Sequence, residues 1–223
     1  MRKHFVLAAF FAVCIAALAP ARAEDARQNE VGQFDFYVLA LSWSPSFCAE
    51  AAERGSRSGG PQCGARPYSF VVHGLWPQYE KGFPEYCQVP APRLERAIVS
   101  AMLDLMPAPH LIFNEWDKHG TCSGLSPRAY FETIRKARAA VKTPPQYFDL
   151  QEALTVTPGA VVDAFIKANP DLSADDIAVT CDKKRLTGVR VCLSKDLQFR
   201  ECPEIAKRGC RRDHVTMPPV RGG

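Results

Sequence analysis

The run FNEWDKHGTC, Phe113 to Cys122, places a carboxylate, an imidazole and an ammonium group within five residues. On a helix, residues four apart share a face and residues three apart nearly do, so Glu115, Lys118 and His119 are expected to project together. A solvated charge pair on a surface helix would account for Glu115 and Lys118 alone. An imidazole beside them adds a group whose unperturbed pKa, about 6.5, suits it to moving protons near neutral pH. A second histidine, His73, lies in FVVHGLWPQY among aromatic residues and next to Gly74. Two such runs in one chain fit proton transfer better than two unrelated packed histidines. The neighbouring Trp116 is expected to point away from the Glu115 and His119 face and to serve packing.

The elements that must carry these groups are legible from hydrophobic pattern. FDFYVLALSW, Phe34 to Trp43, is apolar, aromatic and β-branched and stops at Ser-Pro-Ser, which predicts a buried strand. Pro67 to Pro77 predicts a second strand, with His73 at its end where Gly74 and Pro77 break regularity. The stretch between them, AERGSRSGGPQCG, predicts a flexible loop. Pro92 to Met106 predicts a helix with Leu94, Ile98, Met102 and Leu105 on one face. Ser126 to Val141 and Thr157 to Pro170 predict two more, each opened by a hydroxyl cap and proline. DIAVTCD and LTGVRVCLSK predict strands that join the first two. Strands, then helices, then strands make an α+β domain whose mainly antiparallel central sheet is flanked by helices.

Composition bounds the setting. Residues 1–23 carry Arg2 and Lys3, an apolar run from Phe5 to Leu18, and Ala21-Arg22-Ala23, the form of a secretory signal peptide. Residues 24–223 then form one domain. The chain has 28 Lys and Arg against 24 Asp and Glu; the first 23 residues hold three of the bases and no acid, which leaves 25 against 24. Binding of a polyanion must therefore come from a local site and not from net charge. Outside the signal there are eight cysteines, an even number that in an exported chain reads as disulfides. None forms C-x-x-C, so a thiolate zinc site is not expected. A periplasmic or secreted location follows, with no membrane contact after signal cleavage, and nothing in the pattern asks for more than a monomer.

FVVHGLWPQY and NEWDKHGTC resemble the two active-site segments of the ribonuclease T2 family, which run H-G-L-W-P and H-E-W-x-K-H-G-T-C. FYVLALSWSPSFC is similar to that family's first strand, although Ser44 here separates Trp43 from Pro45. The resemblance implies an endoribonuclease that cleaves single-stranded RNA, needs no metal or cofactor, and leaves DNA intact because the 2′-OH is its nucleophile. By the same resemblance His119 is the base, His73 the acid, and Glu115 orients His119 and, with Lys118, stabilises the phosphorane. A carboxylate beside an imidazole is expected to raise its pKa. Trp76 offers a face for base stacking, and Gln78 is a candidate for choosing the base. Asn114 stands where the family has His; it can bond a phosphate oxygen but carries no charge. His110, four residues upstream, is expected to be an exposed loop residue, and His214 is given no catalytic role. The resemblance pairs Cys48 with Cys63, Cys87 with Cys122, Cys181 with Cys210 and Cys192 with Cys202, and it places a last short strand near Val215 to Met217. Two other readings compete: an impaired relative that only binds RNA or protein, and a metal-dependent phosphodiesterase using His73, Glu115 and His119 as ligands.

Overall fold

A computed structural model of the chain describes residues 27–55, 60–64 and 66–220. The signal-peptide expectation for residues 1–23 lies outside them. Strand β1 (Phe36–Trp43) runs into helix α1 (Ser44–Glu53), followed by β2 (Phe70–Gln78), α2 (Arg96–Met102), α3 (Pro109–Lys118), α4 (Pro127–Ala140), β3 (Leu154–Val156), α5 (Pro158–Ala168), β4 (Ile177–Cys181), β5 (Leu186–Leu193), α6 (Pro203–Ala206) and β6 (Val215–Met217). The four-stranded sheet has the order β2-β1-β5-β4 with every neighbour antiparallel, and β3 pairs with β6 in a second, two-stranded sheet. This is the expected α+β architecture, with the expected final strand.

The sheet divides its side chains by the period of two. Tyr37, Leu39, Leu41 and Trp43 of β1 join Val189 and Val191 of β5 and the apolar stripes of α2 to α5 in the main core. Phe36 and Val38 point the other way, where Ala178, Cys192, Cys202 and Ile205 cover only part of the sheet. The rest of that second face, with Ala40, Ser42 and Arg190, is the floor of an open cleft.

Ser126 and Thr157 cap α4 and α5 as expected, each hydroxyl accepting from the amide three residues on. Three expectations change. The helix at Pro92 to Met106 shrinks to Arg96–Met102, because the Pro92 carbonyl accepts the indole N–H of Trp116 at 2.7 Å and the chain there stays extended. Ser44-Pro-Ser does end β1, but Pro45 suits the first turn of a helix and α1 begins at once. His73 sits inside β2 and not at its end: Ala40 pairs with Gly74 and Leu41 with Val72, so His73 is the extra residue of a β-bulge. A bulge re-aims one side chain while pairing continues on both sides. All four disulfides have the pairing the resemblance implied.

Candidate active site

Helix α3 crosses β2 so that Glu115, 6% exposed, lies over Gly74. Its Oε1 is 3.3 Å from His73 Nε2, and its Oε2 accepts the Trp76 indole N–H at 2.6 Å. The other ring nitrogen of His73, Nδ1, lies 3.2 Å from the Ser42 hydroxyl on β1. His73 is thus held at both nitrogens, between a strand hydroxyl and a helix carboxylate. A Cβ at position 74 would overlap Glu115 Oε2 and approach Trp76 Nε1 to 2.5 Å, which gives the glycine after His73 a steric reason.

His119 closes α3 as its C-cap residue, donating its backbone N–H to the Glu115 carbonyl at 3.0 Å. The imidazole tilts by 31° against Trp76, with ring centroids 5.3 Å apart, and Phe83 flanks it at 6.4 Å. It is 7% exposed and its Nδ1 has no hydrogen-bond partner. Burial is the main influence on its pKa and lowers it to about 4; Glu115 pulls upward, while Lys118 and His73 push further down. The expected rise from the carboxylate is present but outweighed, because a buried imidazolium loses more hydration than Glu115 returns. At neutral pH this ring is an unprotonated base. The orienting role assigned to Glu115 also moves: its carboxylate holds His73 and Trp76, not His119.

Lys118 is half-buried and 3.3 Å from Glu85 Oε2, in the segment after β2. That segment is fastened to the end of α3, since the Tyr86 amide donates to the Lys118 carbonyl at 2.8 Å and Cys87 is bonded to Cys122. The Cys192 and Cys202 bridge instead lies in the small cluster around α6. Replacing Cys87 with serine is therefore expected to lower kcat on RNA more than replacing Cys202 with serine; equal losses would show that the loop attachment has no special place in catalysis.

The remaining sequence candidates separate. Asn114 is exposed on α3 and its side chain makes no hydrogen bond among the described residues. His110 is exposed as expected but belongs to the first turn of α3, not to a loop. Gln78 is 5% exposed and donates to the Pro77 carbonyl at 2.8 Å, so its amide is turned into the protein and not into the cleft. Trp116 is 1% exposed against Tyr130 and Phe131, a packing residue as expected. Sequence reading passed over Ser42, Glu85 and Arg190. The guanidinium of Arg190 lies 5.3 Å from the Trp76 ring centre. Ser42 and Arg190 were visible as polar residues on the alternate positions of otherwise apolar strands. Among the described residues, no three His, Cys, Asp or Glu side chains gather as a metal site requires, and no helix is long and apolar enough to cross a membrane.

The chain is similar to known proteins in sequence and in fold. A sequence profile of the Ribonuclease T2 family matches residues 34–202. A ribonuclease of Aeromonas hydrophila is 42% identical over 118 residues, 52% of this chain and 51% of that protein. A probable ribonuclease of Haemophilus influenzae is 36% identical over 135 residues, 56% of this chain and 50% of that one. The chain thus spans about half the length of these two relatives. In three dimensions it is similar to an RNase-related protein from Calystegia sepium, with a TM-score of 0.64 at 22% identity over 84% of this chain and 98% of that one. It is also similar to RNase NT, solved with 5′-AMP, with a TM-score of 0.62 at 24% identity over 84% of this chain and all of that one. At these identities the structural likeness speaks for the fold.

Proposed function

The chain belongs to the Ribonuclease T2 family, and we propose that it is an endoribonuclease that cuts single-stranded RNA by transphosphorylation. The observation that carries this reading is the joining of His73 and Trp76 through one buried carboxylate, Glu115, with His119 stacked on the same indole. Such an arrangement ties both proton-transfer groups to one indole, Trp76, so that they sit on the same side of the sheet–helix junction.

In this mechanism the unprotonated His119 takes the proton of the 2′-OH, and the 2′-oxygen attacks phosphorus. His73 gives a proton to the departing 5′-oxygen, leaving a 2′,3′-cyclic phosphate. Water then repeats the sequence with the two roles exchanged, which opens the cyclic ester. Lys118 supplies positive charge to the equatorial oxygens, shared with Glu85. Ser42 and Glu115 fix the orientation of the His73 ring, so that little rearrangement is needed at the moment of transfer. Trp76 is braced by its bond to Glu115 and lines the open cleft, where a base would stack by displacing the Arg190 guanidinium from its ring. Asn114, one helical turn before Lys118 and uncharged, is a polar contact for phosphate.

The four disulfides support export to an oxidising compartment, the periplasm or the medium; in this reading residues 24–223 are a single catalytic domain acting as a monomer. The test is to incubate the purified protein in EDTA with a short single-stranded RNA and its DNA counterpart and to read the products by mass spectrometry. RNA fragments ending in 2′,3′-cyclic phosphate, with the DNA intact, are expected. Activity abolished by EDTA and restored by a divalent cation would replace this reading with a metal-dependent one, and RNA binding without cleavage with an impaired relative.

A further inference from the structure

Beside the site, the open face of the sheet continues as a cleft of about 1020 Å³ that contains His73 and Trp76. One of its walls is basic: Lys183, Arg208, Arg211 and Arg212 line it, next to Arg190 on the floor. In a chain with nearly balanced charge outside residues 1–23, this is a local segregation of cations. Among the described residues none of the five has a carboxylate within ion-pairing distance. The acids that share the cleft are engaged elsewhere: Glu50 pairs with Arg54 at 3.1 Å, and Asp182 accepts the backbone amides of Lys184 and Arg185, each at 2.6 Å. Arg190 and Arg208 are close enough that the charge of the second, after burial, lowers the pKa of the first. Two guanidinium groups that repel each other leave an electrostatic place for an anion.

The wall is also fixed in position. Arg208, Arg211 and Arg212 flank Cys210, which is bonded to Cys181 on β4 and donates its backbone N–H to the Val179 carbonyl at 2.8 Å. The C-terminal basic run is thereby stapled to the edge strand of the sheet. His73 faces this cleft, whereas His119 does not line it.

We infer that this basic wall is a phosphate-binding track for the part of the RNA strand on the 3′ side of the cut. The inference rests on the proposed reaction. There, His73 protonates the 5′-oxygen of the departing fragment, so the nucleotides 3′ of the scissile bond leave from the His73 side. That is the side on which the arginines stand. They meet backbone phosphates, which every sequence shares, so the track adds affinity for length and not for base.

Two oligonucleotides of equal length test it, each 2′-O-methylated except for one ribonucleotide, placed near the 5′ end in one and near the 3′ end in the other. The first has a long strand on the 3′ side of the cut, and it is expected to have the higher kcat/KM. Arg208→Gln with Arg212→Gln should remove that advantage and reduce the slope of log kcat/KM against log salt by about 1.4, at about 0.7 per single-strand phosphate contact. Arg208→Lys with Arg212→Lys should keep the slope. Arg128→Gln with Lys136→Gln, which removes the same charge from the surface of α4, should change nothing. A higher kcat/KM for the other substrate, or a double glutamine variant indistinguishable from wild type, would overturn the inference. If the wild type cleaves neither substrate, the catalytic reading fails by itself. Anisotropy of a labelled, fully 2′-O-methylated strand then judges the track, an unchanged salt slope in the glutamine variant overturning it.

Discussion

His119→Ala is expected to lower kcat on RNA by about 10³-fold, within the range of about 10² to 10⁴ that a positioned general base supplies. The ring lies between Trp76 and Phe83 and its Nδ1 has no partner to lose, so the variant should fold with the same disulfides and a modest shift in melting temperature. A fully folded variant with undiminished kcat would remove His119 from the mechanism.

The pH profile carries a second part of the same expectation. A base must be unprotonated to act, and burial lowers the His119 pKa to about 4. The acid limb of kcat/KM, which reports the free enzyme, is therefore expected near pH 4 and not near the unperturbed value of about 6.5. Stability has the same sign. The unfolded chain takes up the His119 proton below about pH 6.5 while the folded protein resists it until about 4, so this residue's contribution is intact above 6.5 and is lost as pH falls toward 4. An acid limb near 6.5, abolished by His119→Ala, would show that the ring is hydrated in solution.

Gly74→Ala is expected to cost about 10²-fold in kcat/KM, the scale of a catalytic group displaced by about 1 Å, with little loss of melting temperature. The added methyl group would occupy the position of the Glu115 carboxylate and press on the Trp76 indole nitrogen. Both are the far ends of side chains and can move. Moving them releases His73 Nε2 and unbraces Trp76, the two contacts that join β2 to α3 at the site. Circular dichroism and thermal melting alongside kinetics separate the cases. A large fall in melting temperature would mean that the glycine serves the sheet, and unchanged kinetics would mean that the Glu115 contacts are dispensable.

A contrast just past the C-terminal end of α3 shows how the motif's second glycine works. At Gly120 a Cβ would lie 2.9 Å from Tyr130 and against the Trp116 ring, both buried side chains of the core. That glycine lets the backbone after His119 pack directly on the Trp116 and Tyr130 rings, whereas Gly74 makes room for the Glu115 carboxylate.

Much of this protein is determined by sequence. Local physics is enough for β1, α4 and α5, because an apolar strand of aromatic and β-branched residues, or a capped and proline-started helix with an inward stripe, needs no distant partner to be recognised. The residue types of the site were legible for the same reason: His73, Glu115, Lys118 and His119 stand in two short runs, and the helical period puts Glu115 and His119 on one face. Trp116 could be assigned to packing by that period alone.

What the tertiary structure decided is how these groups use one another. Glu115 holds His73, 42 positions earlier in the chain, because α3 packs across a bulge whose register is set by pairing with β1. His119 is a base of low pKa because Trp76, Phe83 and the loop fastened by Cys87 remove it from water, and desolvation depends on what surrounds a group in space. Gln78 turned inward, and the helix expected from Pro92 yielded its first turn to a Trp116 hydrogen bond. The arginines from Arg208 to Arg212 became a cleft wall because one disulfide draws them to β4. Sequence fixes which groups are present and which local face they share; distances, burial and charge clustering between remote segments exist only once the sheet and helices have packed.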